Sequence, residues 1–177
     1  MTSKSSSDKP VGVIGAGNFG TAIANILALN RDVILFARDE NVVRTIRDTR
    51  ENRGQRMEAN IQPTDDLKWL AESCDVIFPI VPSMHFRSMM KRLAPHLQPY
   101  HMLIHGTKGL DVQLPKGETL ETVQFLDRRA VKTMSEVVAE ESVAIRQGCL
   151  AGPNLARELA ERQIGATVVA SPFQEVI

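Results

Sequence analysis

The chain has 177 residues, 43% of them hydrophobic and 24% charged, which suits one globular domain or slightly more, with a substantial core. Its 21 basic and 21 acidic side chains cancel, which argues against the one-sided basic surface of a nucleic-acid binder. No segment reaches the roughly 20 apolar residues of a membrane span, and the two cysteines and four histidines show no metal-ligand spacing.

Residues 1–9 are polar and Ser-rich, without an apolar core before any cleavage site, and are expected to be a disordered tail rather than a signal peptide. The simplest compartment is then the cytoplasm, where Cys74 and Cys149 read as reduced thiols. The run Val11–Gly15 predicts a strand, and Asn18–Leu29 a helix with Ile23, Ile26 and Leu27 on one side. A second strand is expected over Asp32–Ala37 and a polar helix over Glu40–Arg50. Arg50–Pro63 is the least regular internal stretch and reads as a long loop. A helix near Asp65–Glu72 precedes a third strand, Asp75–Val81. There Pro82 ends the strand and Ser83 is expected to cap the helix around Met84–Leu93. Met102–Gly106 predicts a fourth strand; His101 and His105 flank its short apolar run, which argues against a shared metal. Lys116–Glu141 reads as helical in part. Two more strands are expected in "SVAIRQGCLAG" and "GATVVAS", with a helix over Asn154–Arg162 between them. This alternation implies an α/β fold, a doubly wound and mostly parallel sheet covered on both faces.

The turn "GAGNFG" spaces its glycines as Gly15-x-Gly17-x-x-Gly20, between an apolar strand and an apolar helix. The first glycine permits the tight turn, the second admits a pyrophosphate to the backbone, and the third lets helix and strand pack closely. The N–H groups and positive dipole end of the helix then face the phosphates. At the end of the second strand Arg38 comes first and Asp39 and Glu40 follow. A guanidinium there suits the 2′-phosphate of NADP and a carboxylate the ribose of NAD; Arg38 tilts the balance toward NADP, and both stay open. Lys108, between Gly106 and Gly109 at a strand end, can hold a phosphate or polarise a carbonyl. In "LAGPNLARELA", Pro153 suits the first turn of a helix and Asn154 can cap it or contact a ligand, making a second anion-ready terminus.

Taken in order, "GAGNFGTAIA", "FAR", "VPS", "TKGL", "AGPNLARELA" and "ATVVAS" resemble the NAD(P)-dependent sn-glycerol-3-phosphate dehydrogenases of bacterial type, over about Pro10 to Ser171. The resemblance implies a Rossmann-type cofactor domain over residues 10–171, with 172–177 starting a connection to a helical substrate domain. It implies reduction of dihydroxyacetone phosphate to sn-glycerol 3-phosphate, a glycerophospholipid precursor, with NAD or NADP as cofactor. It places Asn18 and Phe19 beside Gly15, Gly17 and Gly20 against the cofactor, Arg38 at its adenosine end and Ala156 at its border. Lys108 would touch cofactor and substrate, and Gly152 and Asn154 would line the substrate side. The loop after the second helix keeps Asn52 but lacks the family's Tyr-Leu-Pro pattern, which leaves that loop's contacts open, and Asn154 stands where the family often has Ser. The family's general acid/base lysine, in a Lys-Asn pair, has no counterpart in this chain, so no catalytic residue is assigned and the chain alone is expected to be inactive. A homodimer of the full-length enzyme, a non-catalytic nucleotide-binding module and a related hydroxy-acid dehydrogenase stay open. The face toward the second domain is expected to be apolar.

Overall fold

The computed structural model describes residues 9–177. The expected tail lies outside the described residues except for Lys9, which is not loose: its Nζ pairs with Asp75 at 2.7 Å. In chain order the elements are β1 (Val11–Ile14), α1 (Asn18–Ala28), β2 (Val33–Phe36), α2 (Glu40–Thr49), β3 (Glu51–Asn52), β4 (Gln55–Arg56), β5 (Ile61–Thr64) and α3 (Leu67–Ser73). They continue with β6 (Val76–Pro79), α4 (Ser83–Leu93), β7 (Met102–His105), β8 (Asp111–Val112), β9 (Val131–Lys132), α5 (Met134–Glu141), β10 (Arg146–Ala151), α6 (Ala156–Ala160) and β11 (Val168–Ala170).

The central sheet has seven strands in the order β11-β10-β7-β6-β1-β2-β5. All pairs are parallel except β10–β11. Successive strand residues point to opposite faces, so each strand feeds two cores. Ile14, Ile34, Ile77 and Leu103 face α3, α4 and α5, where Leu70, Phe86, Met90 and Val137 are buried. Their neighbours Val13, Leu35, Phe78 and Ile104 face the other side, with Ile23 and Ala24 of α1 and Ile46 of α2. Burial on both faces is why these strands are continuous apolar runs instead of alternating ones.

The structure corrects three expectations. Arg50–Pro63 is not a plain loop: it holds the β3–β4 hairpin and the edge strand β5, which pairs with β2 from Val33↔Ile61 to Phe36↔Thr64. Arg53 and Gly54 both take positive φ, 52° and 72°, the backbone of a two-residue hairpin turn. Pro63 is tolerated because β5 is an edge. Ser83 does not cap α4; Pro82 holds that position and no side chain caps the helix. The helix expected from Asn154 begins at Ala156. Lys116–Glu141 is helical in part, as expected, through α5 and one 3-10 turn. At the carboxyl edge near β10 and β11, Leu155, Ile164 and Val168 are exposed.

α5 opens with a reciprocal cap in which Thr133 Oγ1 accepts from Glu136 N–H and the Glu136 carboxylate accepts from Thr133 N–H and hydroxyl. Those bonds from Thr133, with Arg128 beside them, hold the Glu136 carboxyl down to about 2 from its ordinary 4.5. A depressed folded-state value stabilises the protein above the unfolded value and is lost as pH falls through the folded one. The urea midpoint is therefore expected to fall between pH 4.5 and about 2, and Glu136→Gln is expected to flatten that part of the profile.

Candidate functional site

β1 sits where the sheet order reverses, with β2 on one side and β6 on the other, so their carboxyl ends open a crevice. The glycine turn lies in that crevice. Gly15 has φ +123°, and a Cβ there would lie 2.0 Å from the carbonyl oxygen of Ile80. A Cβ on Gly20 would lie 1.8 Å from the carbonyl oxygen of Gly15. These two glycines let α1 close onto β1 and the end of β6. Gly17 differs: its φ is −78°, and nothing stands within 4 Å of the place a Cβ would occupy. Packing accounts for Gly15 and Gly20; Gly17 borders open space at the N-terminus of α1.

That helix start carries no side-chain cap and no acidic residue in its first turn. By contrast Asp39 caps α2, Asp66 caps α3 and Thr133 caps α5. An uncapped terminus with free N–H groups and the positive end of the dipole suits an anion. The hairpin braces this turn from the flank. Asn52, nearly buried, donates from Nδ2 to Ala16 O at 3.0 Å and to Thr21 Oγ1 at 2.7 Å. Gln55 Nε2 donates to Asn18 O at 3.1 Å, and Asn25 exchanges bonds with Arg56 O and Glu58 N–H. The loop lacking the Tyr-Leu-Pro pattern therefore does contact the turn, through amides.

The Lys108 loop meets the turn from β7. Thr107 donates its hydroxyl to Val81 O at 2.8 Å and accepts from Val81 N–H at 3.3 Å, locking the ends of β6 and β7 together. A Cβ on Gly106 would lie 3.2 Å from the Phe19 ring, and Lys108 Nζ is 6.0 Å from that ring's centroid. Phe19 and Lys108, far apart in sequence, are thus brought together. Beneath them His105 is 5% exposed; one ring nitrogen contacts Ser135 Oγ at 3.2 Å, and burial pushes its pKa below the ordinary value. Cys74 is fully buried and its thiol is pushed up to about 12 by burial, which makes it inert; Cys149, half-buried, is also unpaired and shifted up by burial.

Arg38 lies exposed at the end of β2 and lines a cleft of about 370 Å³ that also takes in Gly15, Gly17, Phe36, Pro82 and His85. The competing carboxylate of Asp39 is engaged: its Oδ1 accepts from Asn41 N–H at 2.9 Å as the α2 cap. Two further arginines, Arg53 and Arg92, line the same cleft, and Arg92 stands 6.0 Å over the Phe36 ring. The helical spacing of His85, Ser88, Met89 and Arg92 was the available signal for the second; Arg53 lay in a stretch with no visible periodicity.

The β10 end departs from expectation. Gly152 has φ +141°, and a Cβ there would lie 2.4 Å from Ala166 O. Asn154 is 4% exposed and its Oδ1 accepts from Thr167 Oγ1 at 3.0 Å, so it ties β10 to β11 and does not cap α6, whose cap position is Leu155. α6 spans five residues, too short a helix to offer the second anion-ready terminus. Ala156 lines a separate groove of about 810 Å³ along α1, together with Asn18 and Gln55.

Residues 10–177 match the family model described as NAD-dependent glycerol-3-phosphate dehydrogenase N-terminus. The chain is 38% identical over 170 residues to the glycerol-3-phosphate dehydrogenase [NAD(P)+] of Pseudomonas savastanoi pv. phaseolicola, covering 92% of this chain and 44% of that protein. It is 40% identical over 168 residues to the enzyme of the same name from Pseudomonas entomophila, again covering 92% and 44%. The crystal structure of glycerol-3-phosphate dehydrogenase from Coxiella burnetii superposes with a TM-score of 0.78 at 26% identity, over 95% of this chain and 48% of that one. The chain thus spans less than half the length of the curated relatives it matches.

Gly20 and Gly17 are expected to separate in a thermal melt. Gly20→Ala drives a side chain into Gly15 and should cost about 3 kcal/mol. Gly17→Ala meets no atom and should cost about 1 kcal/mol or less, the difference between glycine and alanine as an N-cap.

Proposed function

The chain belongs to the NAD-dependent glycerol-3-phosphate dehydrogenase family, as its N-terminal domain, and from that membership we propose that it is the cofactor-binding half of an enzyme reducing dihydroxyacetone phosphate to sn-glycerol 3-phosphate. The product is the backbone precursor of glycerophospholipids. The observation that carries the reading is the open face of Gly17 at an uncapped helix start, in the crevice where the sheet order reverses.

NAD or NADP fits this site, because Gly17 leaves space where a side chain would obstruct a pyrophosphate. When bound, the nicotinamide supplies the hydride. The residues of this chain do the rest of the holding. Gly15, Gly17 and Gly20 shape the turn, and the first-turn N–H groups around Asn18 and Phe19 offer hydrogen bonds to phosphate oxygens. Arg38, with its neighbouring carboxylate engaged as a cap, offers a fork to a 2′-phosphate, which favours NADP. The family resemblance puts Ala156 at the cofactor's border; here it lines, with Asn18, the groove along α1 and not the Arg38 cleft. Lys108 holds cofactor and substrate together and draws charge from the substrate oxygen; Gly152 and Asn154 act on the substrate side only by shaping the backbone, since the Asn154 side chain is buried against Thr167. No residue of this chain is assigned the proton transfer to the product hydroxyl; loss of a general acid/base alone lowers a rate roughly 10²- to 10⁴-fold.

The test is a fluorescence titration of the purified chain with NADPH and NADH, with dihydroxyacetone phosphate reduction assayed in the same samples. Both nucleotides are expected to bind, NADPH more tightly, with almost no turnover. Arg38→Ala should weaken NADPH about tenfold or more, the worth of a charged hydrogen bond, and leave NADH nearly unchanged. Rapid turnover would instead place the missing acid within these residues, and binding of neither nucleotide would remove the reading.

A further inference from the structure

Between the Lys108 loop and α5 lies a group of charges to which the cofactor reading gives no part. Arg87, in the second turn of α4, has a side chain only 17% exposed and faces three carboxylates. Its Nε donates to Asp111 Oδ2 at 2.8 Å, its Nη2 to Glu140 Oε2 at 2.8 Å, and its Nη1 to Glu141 Oε1. Lys132, opposite Asp111 in the β8–β9 pair, takes the second oxygen of Glu140 at 2.7 Å. Each nitrogen of the guanidinium serves a different acceptor, a planar fork that an ammonium cannot reproduce.

The carboxylates come from two places. Glu140 and Glu141 end α5, whereas Asp111 begins β8, three residues after Lys108. Between them Gly109, at φ +116°, lies so close to Ser83 that a Cβ would approach its Oγ to 2.9 Å. Upstream, Thr107 is bonded to Val81 through its hydroxyl. Lys108 is therefore the apex of a short span fixed at both ends, by Thr107 to β6 and by Asp111 to Arg87. Without the guanidinium, Asp111 and Glu141, each less than a fifth exposed, would face Glu140 with Lys132 as the one remaining cation of the group. Repulsion and desolvation would then push β8 away from α4. The downstream end of the loop would be released, and the conformation that holds Nζ over Phe19 would be one among several. An apparent affinity falls by the fraction of molecules in the competent conformation.

We infer that Arg87 is a positioning residue for Lys108: through Asp111 it holds the Lys108 loop folded over Ser83, in the geometry that engages the nucleotide. The inference rests on the reading of Lys108 as a cofactor contact. Its test is a double-mutant cycle read by NADPH fluorescence, with thermal melts in parallel. Arg87→Gln should weaken NADPH binding about tenfold when Lys108 is present and less than about twofold in a Lys108→Ala chain, as coupled neighbours do. Arg87→Lys should not restore the affinity. Asp111→Asn, which leaves Glu140 and Glu141 on Arg87, carries the same comparison if Arg87→Gln does not fold. Equal losses on the two backgrounds, or an unchanged affinity in a folded Arg87→Gln or Asp111→Asn chain, overturn the proposal and leave the cluster as a brace between α4 and α5. If the unaltered chain does not bind NADPH, or Lys108→Ala binds as tightly as the unaltered chain, the cofactor reading falls and this proposal falls with it.

Discussion

The close approach of α1 to the β1–β6 ridge is the constraint on which the rest of the molecule depends. The carbonyl oxygens of Gly15 and Ile80 occupy space that any side chain at positions 20 and 15 would need. With those two positions stripped to hydrogen, Ile23 and Ala24 reach the sheet and complete the core on that side. The same approach aims the start of α1 into the crevice at the carboxyl ends of β1 and β6, where the strand order reverses. The packing contacts and the open helix start thus share one turn but use different glycines within it. Interiors are packed too tightly for such a contact to be approximated.

Around this turn the chain adds supports that come from distant segments and are almost all polar. Amides of the β3–β4 hairpin reach the backbone of the turn and of α1, and the hydroxyl of Thr107 joins the ends of β6 and β7. Ion pairs fix the strands that follow Lys108. Hydrogen bonds of this kind add little net energy each but are directional, and so they hold a geometry that apolar packing alone would leave loose. The site is a rigid cradle assembled from loops, as expected for an open α/β sheet.

Much of the fold was legible because its strands are buried on both faces and announce themselves as apolar runs; "VIFPIV" and "DVILFA" are two examples. β5 escaped because an edge strand tolerates Gln62 and Pro63, and its four residues leave no period to read. The hairpin was written in "NRGQ", but a positive φ at an arginine has no propensity signal, and only the neighbouring glycine hinted at it. For the candidate site, the glycine turn and the position of Lys108 at a strand end were readable from local sequence. The burial of Asn154 against Thr167 was not, since it depends on β11 returning antiparallel beside β10. Nor was the guanidinium of Arg87 among three acids, which joins residues 24 and 54 positions apart.

The cap at Asp39 has a consequence for how this protein could change its nucleotide. In a sheet of this kind, selectivity is commonly rewritten at the end of the second strand, where a carboxylate and a guanidinium compete for one ribose. Here the carboxylate is already committed to the first turn of α2, and α2 carries Val43 and Ile46 into the core. Turning that acid toward a ligand would cost α2 its cap, roughly 1 kcal/mol. Position 38 carries no such obligation: its side chain is exposed. A substitution at position 38 is therefore expected to leave the fold undisturbed, whereas one at position 39 removes the cap of α2.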